Sequence, residues 1–243
     1  MRTTIVYEDN HVLVAVKPRN MPVQADSSGD MDLLTLLKAY LKRKYQKPGN
    51  VYLGLVHRLD RPVAGLVAFA KTSKAAARLS AQLQDRRMGR SYLCVVRGLA
   101  PEEGELRDYL YKDERTNSSR AVSPETPGAK EARLRFERLG QAQGLSLLRV
   151  RLQTGRSHQI RVQIQNAGLP LWGDARYGGG RPGEAIALYA RELVFQHPTT
   201  GAALRLVAPD PSPFPFSLFG PRPDGLTETE ALDVVCDNSD RID

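Results

Sequence analysis

One aspartate of this chain, Asp60, lies in a run of cationic and imidazole side chains. His57 and Arg58 precede it and Arg61 follows it, and an apolar run begins shortly afterwards at residues 65–70. Asp60 is therefore expected in a loop that enters a buried strand, where a reactive group can face a cleft. Nearby positive charge favours the ionised form of a carboxyl, as a nucleophile requires. The residues alone leave open a surface ion pair between Asp60 and Arg58 or Arg61.

Two further segments could contribute to a site. In the first, Gly155 permits a tight turn after a strand, and dense hydrogen-bond donors follow at Arg156, His158, Gln159 and Arg161. This pattern is compatible with a phosphate-binding turn and equally with the polar start of a helix. In the second, Tyr92 stands at the head of a strand, where a lone tyrosine is most often a core residue.

The elements that must position these residues are mostly strands. Apolar residues at helical spacing predict helices from Asp30 to about Tyr45 and from Thr72 to Met88, the second capped by Thr72 and stopped by Gly89. Strand-like composition covers residues 4–8, 12–17, 65–70, 91–97, 132–139, 145–152, 185–195 and 203–207. Because helices are few and do not alternate regularly with strands, we predict an α+β fold with a mixed, largely antiparallel sheet flanked by few helices.

The charge of the chain is unevenly distributed. The net charge is +8, but the residues from Pro209 onward include eight acidic and two basic ones, a net charge of −6. The preceding 208 residues carry 33 basic and 19 acidic residues, a net charge of +14. A basic body suits a polyanionic partner, because each neutralised phosphate releases condensed counterions. Charge alone does not separate a nucleic-acid-binding protein from a basic protein that binds no polyanion.

Two segments lie outside the main pattern of elements. Residues 113–130 are rich in Ser, Pro, Arg and Glu and predict a long exposed loop, either a nucleic-acid-contacting arm through Arg115, Arg120 and Lys130 or a solvated insertion. The chain from Pro209 is rich in proline and then acidic, which predicts poor order at its end. We therefore divide the chain into a catalytic domain of residues 1–208 and a C-terminal tail of residues 209–243.

The composition argues against several classes of protein. The apolar runs of the 243 residues are too short to cross a bilayer, and no apolar signal region stands at the N-terminus. Cys94 and Cys236, the two cysteines, do not indicate a disulfide framework. The four histidines lack metal-ligand spacing, and no nucleotide-binding fingerprint is visible. We expect a cytoplasmic protein with no membrane contact, no metal and no cofactor.

Taken together, these segments resemble the RluA family of RNA pseudouridine synthases. The His-Arg-Leu-Asp and Gly-Arg-Ser-His-Gln-Ile-Arg pieces are highly specific, and the resemblance covers nearly the whole chain up to about Val207. In family order, the matching segments are residues 14–18, 57–60, the strand from Gly65, 90–92, 154–162, 171–174, 177–178 and 193–198.

The resemblance implies a role for each matching residue. Asp60 matches the catalytic aspartate that acts at C1′ of the target uridine, and Arg161 matches the arginine that pairs with it. Tyr92 matches the tyrosine whose ring stacks on the uracil. Arg58 matches an arginine that displaces the target base. Substrate or RNA contacts are also predicted for His57, Arg156, His158 and Gln159.

The chain departs from the family pattern at a few positions. Val63 and Ala64 stand where a Thr-Ser pair is common, which removes two hydroxyls beside Asp60. Gln163 and Tyr189 stand where histidine is common. Since none of these positions matches a catalytic residue, we expect altered fine tuning rather than loss of activity.

The implied reaction breaks the C1′–N1 bond of a uridine, turns the uracil and forms a new link at C5. The target base must leave its stack, so looped or single-stranded RNA is the natural substrate. Ribosomal and transfer RNA are equally compatible, and we expect a monomer.

Many relatives carry a small N-terminal RNA-binding domain. Because the first strand starts at about Thr4, we expect none here and assign RNA selection to the catalytic domain itself.

Two alternatives to an isomerase remain. A hydrolase of nucleoside or glycosidic bonds also acts at an anomeric carbon, but it usually needs a second carboxylate to activate water. An RNA-binding module without catalysis is the other alternative, and the combination of Asp60, Tyr92 and Arg161 argues against it.

Overall fold

The computed structural model of the protein describes residues 2–181, 184–221 and 224–235. The elements of these residues, in chain order, are β1 (Arg2–Glu8), β2 (Val12–Lys17), α1 (Leu33–Lys44), β3 (Gly54–Leu55), β4 (Ala64–Ala70), α2 (Ser73–Gln84), β5 (Gly89–Arg97), β6 (Glu103–Asp113), β7 (Ser118–Val122), β8 (Lys130–Ala142), β9 (Leu145–Leu152), α3 (Gln159–Asn166), β10 (Leu188–Gln196), β11 (Ala203–Val207), a 3₁₀ turn (Phe216–Phe219) and β12 (Leu232–Val235).

The fold class is confirmed, since strands dominate and the few helices do not alternate with them. The chain forms two compact units. The first comprises the described residues of Met1–Met88, Glu192–Pro209 and Glu228–Asp243, and the second comprises those of Gly89–Arg191 and Asp210–Thr227.

The first unit is built on antiparallel pairs around β4. Strands β2 and β3 pair with β4, β1 pairs with β2 and β12, and β10 pairs with β11. Six of the seven β4 residues are buried, which fits an uninterrupted apolar strand covered on both faces. Leu33, Leu37 and Leu41 recur at helical spacing on α1 and complete this core.

Both helices of the first unit begin with a side-chain cap. The Asp32 carboxylate accepts the N–H of Thr35 at 2.9 Å, and the Thr72 hydroxyl accepts that of Ala75 at 3.1 Å. The predicted cap at Thr72 is thus confirmed, but the predicted stop at Gly89 is wrong. Helix α2 ends at Gln84 because Arg86 adopts a left-handed conformation with φ 59°, and Gly89 is the first residue of β5.

The second unit is an antiparallel sheet. Strand β9 pairs with β5 and β8, and β6 pairs with β8 and β7. Along β8, Leu134 and Phe136 are buried and Arg135 between them is exposed, the alternation of a sheet with one covered face. The prediction of one long loop over residues 113–130 is wrong in its middle, because residues 118–122 form β7 and pair with residues 109–113 of β6 as a hairpin.

The C-terminal segment is folded as far as it is described. Residues 210–221 and 224–227 belong to the second unit, and β12 pairs with β1 in the first. The division at residue 208 stays a prediction.

Cys94 is buried, and Cys236 lies outside the described residues. No helix among the described residues is long and apolar enough to cross a membrane.

Candidate active site

The loop between β3 and β4 presents Asp60. His57 and Leu59 are buried and anchor the loop. Arg58 is exposed and Asp60 is partly exposed, so these two residues face solvent. His57 Nε2 accepts the backbone N–H of Ala68 at 3.1 Å, which ties the loop to β4. The carbonyl of Asp60 accepts the N–H of Val63 at 3.0 Å and closes a turn.

Arg61 has carboxylate partners of its own. Its guanidinium pairs with Asp30 and lies 3.6 Å from the carboxylate of Asp26, and it donates to the Ser28 hydroxyl at 2.8 Å. All four side chains are exposed, so these contacts contribute little stability individually. They hold the chain that follows Asp60 against the segment before α1.

Lys17 is a buried cation beside the Asp60 loop, and the sequence predicted no role for it. It has no exposed surface, and its ammonium donates to the carbonyls of Pro18, Met21 and Arg61 at 3.0, 2.8 and 2.9 Å. Burial lowers the pKa of Lys17 to about 7, although attraction to Asp60 opposes this shift. The available signal was a lysine closing a strand whose other residues are all apolar.

Tyr92 lies in the second unit on β5, directly opposite Val150 of β9, and is 6% exposed. The neighbouring Arg90 packs its guanidinium against the turn before α3. A Cβ at position 155 would lie 2.7 Å from Arg90 Nη1, so a larger residue there would displace the Arg90 guanidinium. The glycine predicted to allow a tight turn therefore makes room for an arginine.

Arg161 is held inside the second unit by Asp174. Its Nε and Nη2 donate to the two carboxylate oxygens of Asp174 at 2.8 and 2.7 Å, and both side chains are buried. Burial would raise the pKa of Asp174, but the hydrogen bonds and charge of Arg161 lower it below the usual value. The Arg161 guanidinium also lies 5.0 Å from the ring centre of Tyr177. Asp174 belongs to the matching segment 171–174, but the resemblance implied no role for it.

The polar cluster around Arg161 is the start of a helix, one of the two alternatives that the sequence left open. His158 adopts a left-handed conformation with φ 53° at the N-cap of α3. Its Nδ1 lies 2.7 Å from the hydroxyl of Tyr177, and that hydroxyl accepts the N–H of Ser119 in β7 at 2.9 Å.

Gln159 and Arg156 take different positions in this turn. The Gln159 side-chain oxygen accepts from the Thr154 hydroxyl and the Arg156 N–H at 2.7 and 2.9 Å, and its amide donates to the carbonyl of Arg133. Gln159 is 3% exposed, whereas Arg156 is exposed and donates to the carbonyl of Glu131. Gln159 therefore organises the turn, and the RNA contacts predicted for both residues stay predictions.

The predicted site residues fall into two groups. His57, Arg58 and Asp60 share one loop of the first unit, and Tyr92, Arg156, His158, Gln159 and Arg161 belong to the second. Within the second group, the structure brings His158 and Arg161 together around Tyr177. Among the described residues, no group of three or more His, Cys, Asp or Glu side chains could hold a metal ion.

A family model described as RNA pseudouridylate synthase matches residues 11–166, a span that includes Asp60, Tyr92 and Arg161. The chain belongs to this family. The predicted resemblance is therefore confirmed, and the protein is an enzyme of the pseudouridine synthase class.

Curated relatives match over most of the chain. An uncharacterized RNA pseudouridine synthase of Bacillus subtilis, YhcT, is 34% identical over 86% of this chain and 68% of its own length. The ribosomal large subunit pseudouridine synthase D of Pseudomonas aeruginosa is 35% identical over 86% of this chain and 69% of its own length.

A solved structure shares the fold. Human RNA pseudouridylate synthase domain containing 4 superimposes with a TM-score of 0.72 at 21% identity and covers 88% of this chain and 91% of that one. At this identity the match is evidence for the fold alone.

Proposed function

We propose that this synthase converts a uridine of ribosomal RNA to pseudouridine with Asp60 as the catalytic carboxylate. The observation that carries the proposal is the setting of Asp60. It is a partly exposed carboxylate in a loop anchored by the buried His57, and the ammonium of the buried Lys17 attracts it. A carboxylate held in place beside a buried ammonium is suited to attack or stabilise the C1′ centre of a nucleotide.

Tyr92 and Arg161 are proposed to complete the site. Their roles come from the family motif: the Tyr92 ring stacks on the uracil, and the Arg161 guanidinium pairs with the catalytic carboxylate. Because Asp174 binds two nitrogens of Arg161 in a buried pair, the guanidinium is oriented before substrate arrives. Arg58, exposed beside Asp60, suits the proposed displacement of the target base.

The reaction balances within the substrate. The C1′–N1 bond breaks, the uracil turns, C5 bonds to C1′, the hydrogen of C5 leaves as a proton, and N1 takes up a proton. No electron or group passes to a second molecule, so no co-reactant is required by the chemistry.

Large-subunit ribosomal RNA is the proposed substrate class, because several relatives are named for that activity. The basic body of the protein, with a net charge of +14 over its first 208 residues, suits a polyanion of this kind. We also propose that the enzyme acts in the cytoplasm as a monomer.

Tritium release from RNA labelled at uridine C5 tests the assignment of Asp60. We expect Asp60→Asn to lower the release rate at least about a thousandfold, the order of loss seen for an essential catalytic group. The dissociation constant for RNA should stay close to that of the wild type. Asp26→Asn is the matched control, since it removes a carboxylate near the same loop that pairs with Arg61. Near-normal release by Asp60→Asn would refute the role of Asp60.

The same assay separates the isomerase from a hydrolase. Isomerisation releases tritium while the uracil stays attached to the RNA. A hydrolase would instead release free labelled uracil, which chromatography of the products detects. Free uracil as the main product would overturn the proposed function.

A further inference from the structure

A basic and aromatic cluster lies in the first unit at the end of β4 remote from Asp60. Asp60 lies before the start of β4 at Ala64, and Lys71 directly follows the last residue of this strand, Ala70. A strand of seven residues spans about 20 Å. The side chains come from the ends of β1, α1 and β4. We call them the Tyr45 cluster: Glu8, Tyr40, Lys44, Tyr45, Lys47 and Lys71.

Glu8 organises the Tyr45 cluster. Its carboxylate accepts from the hydroxyls of Tyr40 and Tyr45 at 2.8 and 2.7 Å and from the ammonium groups of Lys44 and Lys71 at 2.8 and 3.0 Å. Burial would raise the pKa of Glu8, but these four bonds outweigh it and lower the pKa to about 2. The cluster is therefore a fixed array rather than a set of independent surface side chains.

The cluster carries more positive than negative charge. Lys44, Lys47 and Lys71 lie 5.5, 5.8 and 4.6 Å from the ring centre of Tyr45, so three ammonium groups converge on one ring. Glu8 is the one carboxylate that binds them among the described contacts. Like charges held this close repel one another, and an anion bound between them would relieve the repulsion.

The helix dipole explains only part of this arrangement. Cations in the last turn of a helix interact favourably with its C-terminus, which accounts for Lys42, Arg43 and Lys44. It does not account for Lys71, which comes from the end of β4. Nor does it account for Tyr45, which remains 43% exposed while its hydroxyl is held by Glu8.

We propose that the Tyr45 cluster is an accessory RNA-binding surface that holds the phosphate backbone of the substrate away from the target uridine, with the Tyr45 ring stacking on an unpaired base. This rests on the proposed function for the identity of the polyanion. Fixed ammonium groups beside an exposed aromatic ring are what single-stranded RNA requires. An anionic bilayer fits less well, because Leu33, Leu37 and Leu41 of α1 are buried and leave the helix no apolar face for a membrane.

The salt dependence of RNA binding tests the electrostatic part. Lys47 is suited to substitution, because its ammonium lies near the Tyr45 ring and does not hold Glu8 among the described contacts. For a structured ribosomal RNA fragment, we expect Lys47→Gln to weaken binding about threefold. The slope of log Kd against log salt should fall by about 0.7, the value for one lost phosphate contact.

The control is Arg205→Gln, which removes an exposed cation of the same unit that pairs with Glu192. Both proteins should release tritium at the wild-type kcat from a short RNA that spans only the target loop. Equal affinity and slope for Lys47→Gln and the control would overturn the proposal. So would a loss of binding to phosphatidylserine vesicles with no change for RNA.

Two substitutions of Tyr45 test whether its ring stacks on an RNA base. Tyr45→Ala should weaken binding of the long RNA about tenfold without changing the salt slope, because stacking releases no counterions. Tyr45→Phe keeps the ring and should bind like the wild type. If wild-type enzyme releases no tritium from any RNA while these differences persist, the proposed function fails and the binding surface stands.

Discussion

Lys17 shows how one residue can link stability to the site. A lysine with no exposed surface is costly to bury as a cation, and its three carbonyl partners lie in the segment after β2 and in the Asp60 loop. The bond to the carbonyl of Arg61 fixes the residue immediately after Asp60. Lys17 is thus a positioning residue for the loop rather than a group that touches the substrate.

The depressed pKa of Lys17 predicts how stability depends on pH. Its pKa is about 7 in the folded protein against 10.5 normally, so between these values the unfolded chain binds more protons than the folded one. The free energy of unfolding should therefore rise with pH from about 7 to 10.5, by up to about 1.4 kcal/mol per unit, and Lys17 should contribute no slope below that window.

Urea unfolding of the wild type and of Lys17→Met from pH 6 to 10 measures this contribution, since the other titrating groups cancel in the difference. Parallel curves over the whole range would show that Lys17 keeps an ordinary pKa.

At the scale of elements, the hairpin of β6 and β7 is tied to the site through Tyr177. The hydroxyl of Tyr177 accepts the N–H of Ser119 in β7 and contacts His158 at the start of α3. Arg176 donates to the carbonyl of Asn117 at 2.6 Å, which adds a second link. The hairpin and the helix that carries Arg161 are therefore positioned by one short segment of chain.

Tyr177→Phe isolates the hydroxyl of this link. It keeps the ring beside Arg161 but leaves the Ser119 N–H without its acceptor, which costs about 1 kcal/mol of local stability. We expect hydrogen exchange of residues 117–122 to become about fivefold faster. Tyr111→Phe in the same hairpin is the comparison, since the Tyr111 ring contacts Arg120. Unchanged exchange in Tyr177→Phe would mean that the hairpin needs no support from this hydroxyl.

Elements with a strong local pattern were predictable from the sequence. The bounds of β2, β9 and β11 agree with the prediction, because each is a compact strand-like run with turn residues beside it. The hairpin of β6 and β7 was missed because its strands are half polar, with alternate exposed residues such as Glu103, Glu105 and Arg107. Its pairing depends on β8 and Tyr177, contacts that no local window contains.

The candidate site was likewise predictable where a local motif exists and not where a contact joins distant residues. Asp60, Tyr92 and Arg161 could be predicted because each lies in a segment that matches the family, and their catalytic roles stay predictions. Asp174 was not given a role because its partner lies 13 positions earlier and the pair forms only after folding. Lys17 was likewise unassigned, since a sequence does not show which carbonyls will converge on an ammonium.

At the scale of the whole molecule, two acidic residues of the C-terminal segment form ion pairs inside the second unit. Arg191 is 1% exposed, and its guanidinium binds the carboxylates of Asp224 at 2.8 Å and Asp210 at 2.7 Å. Arg149 also donates to the carbonyl of Asp224. The acidic composition that suggested a tail therefore includes the counter-charges of the buried Arg191.

Truncation tests whether residues 1–208 can stand as a domain. A chain that ends at Ala208 loses both carboxylates that bind Arg191, and an unpaired buried charge costs about 3–5 kcal/mol. In a protein of this size, that cost lowers the midpoint of thermal unfolding by about 10 °C. A chain that ends at Val235 keeps Asp210, Asp224 and β12, so calorimetry should find its midpoint near that of the full chain. If both truncated chains melt together with the full chain, the division at residue 208 holds and Arg191 does not depend on the segment that follows.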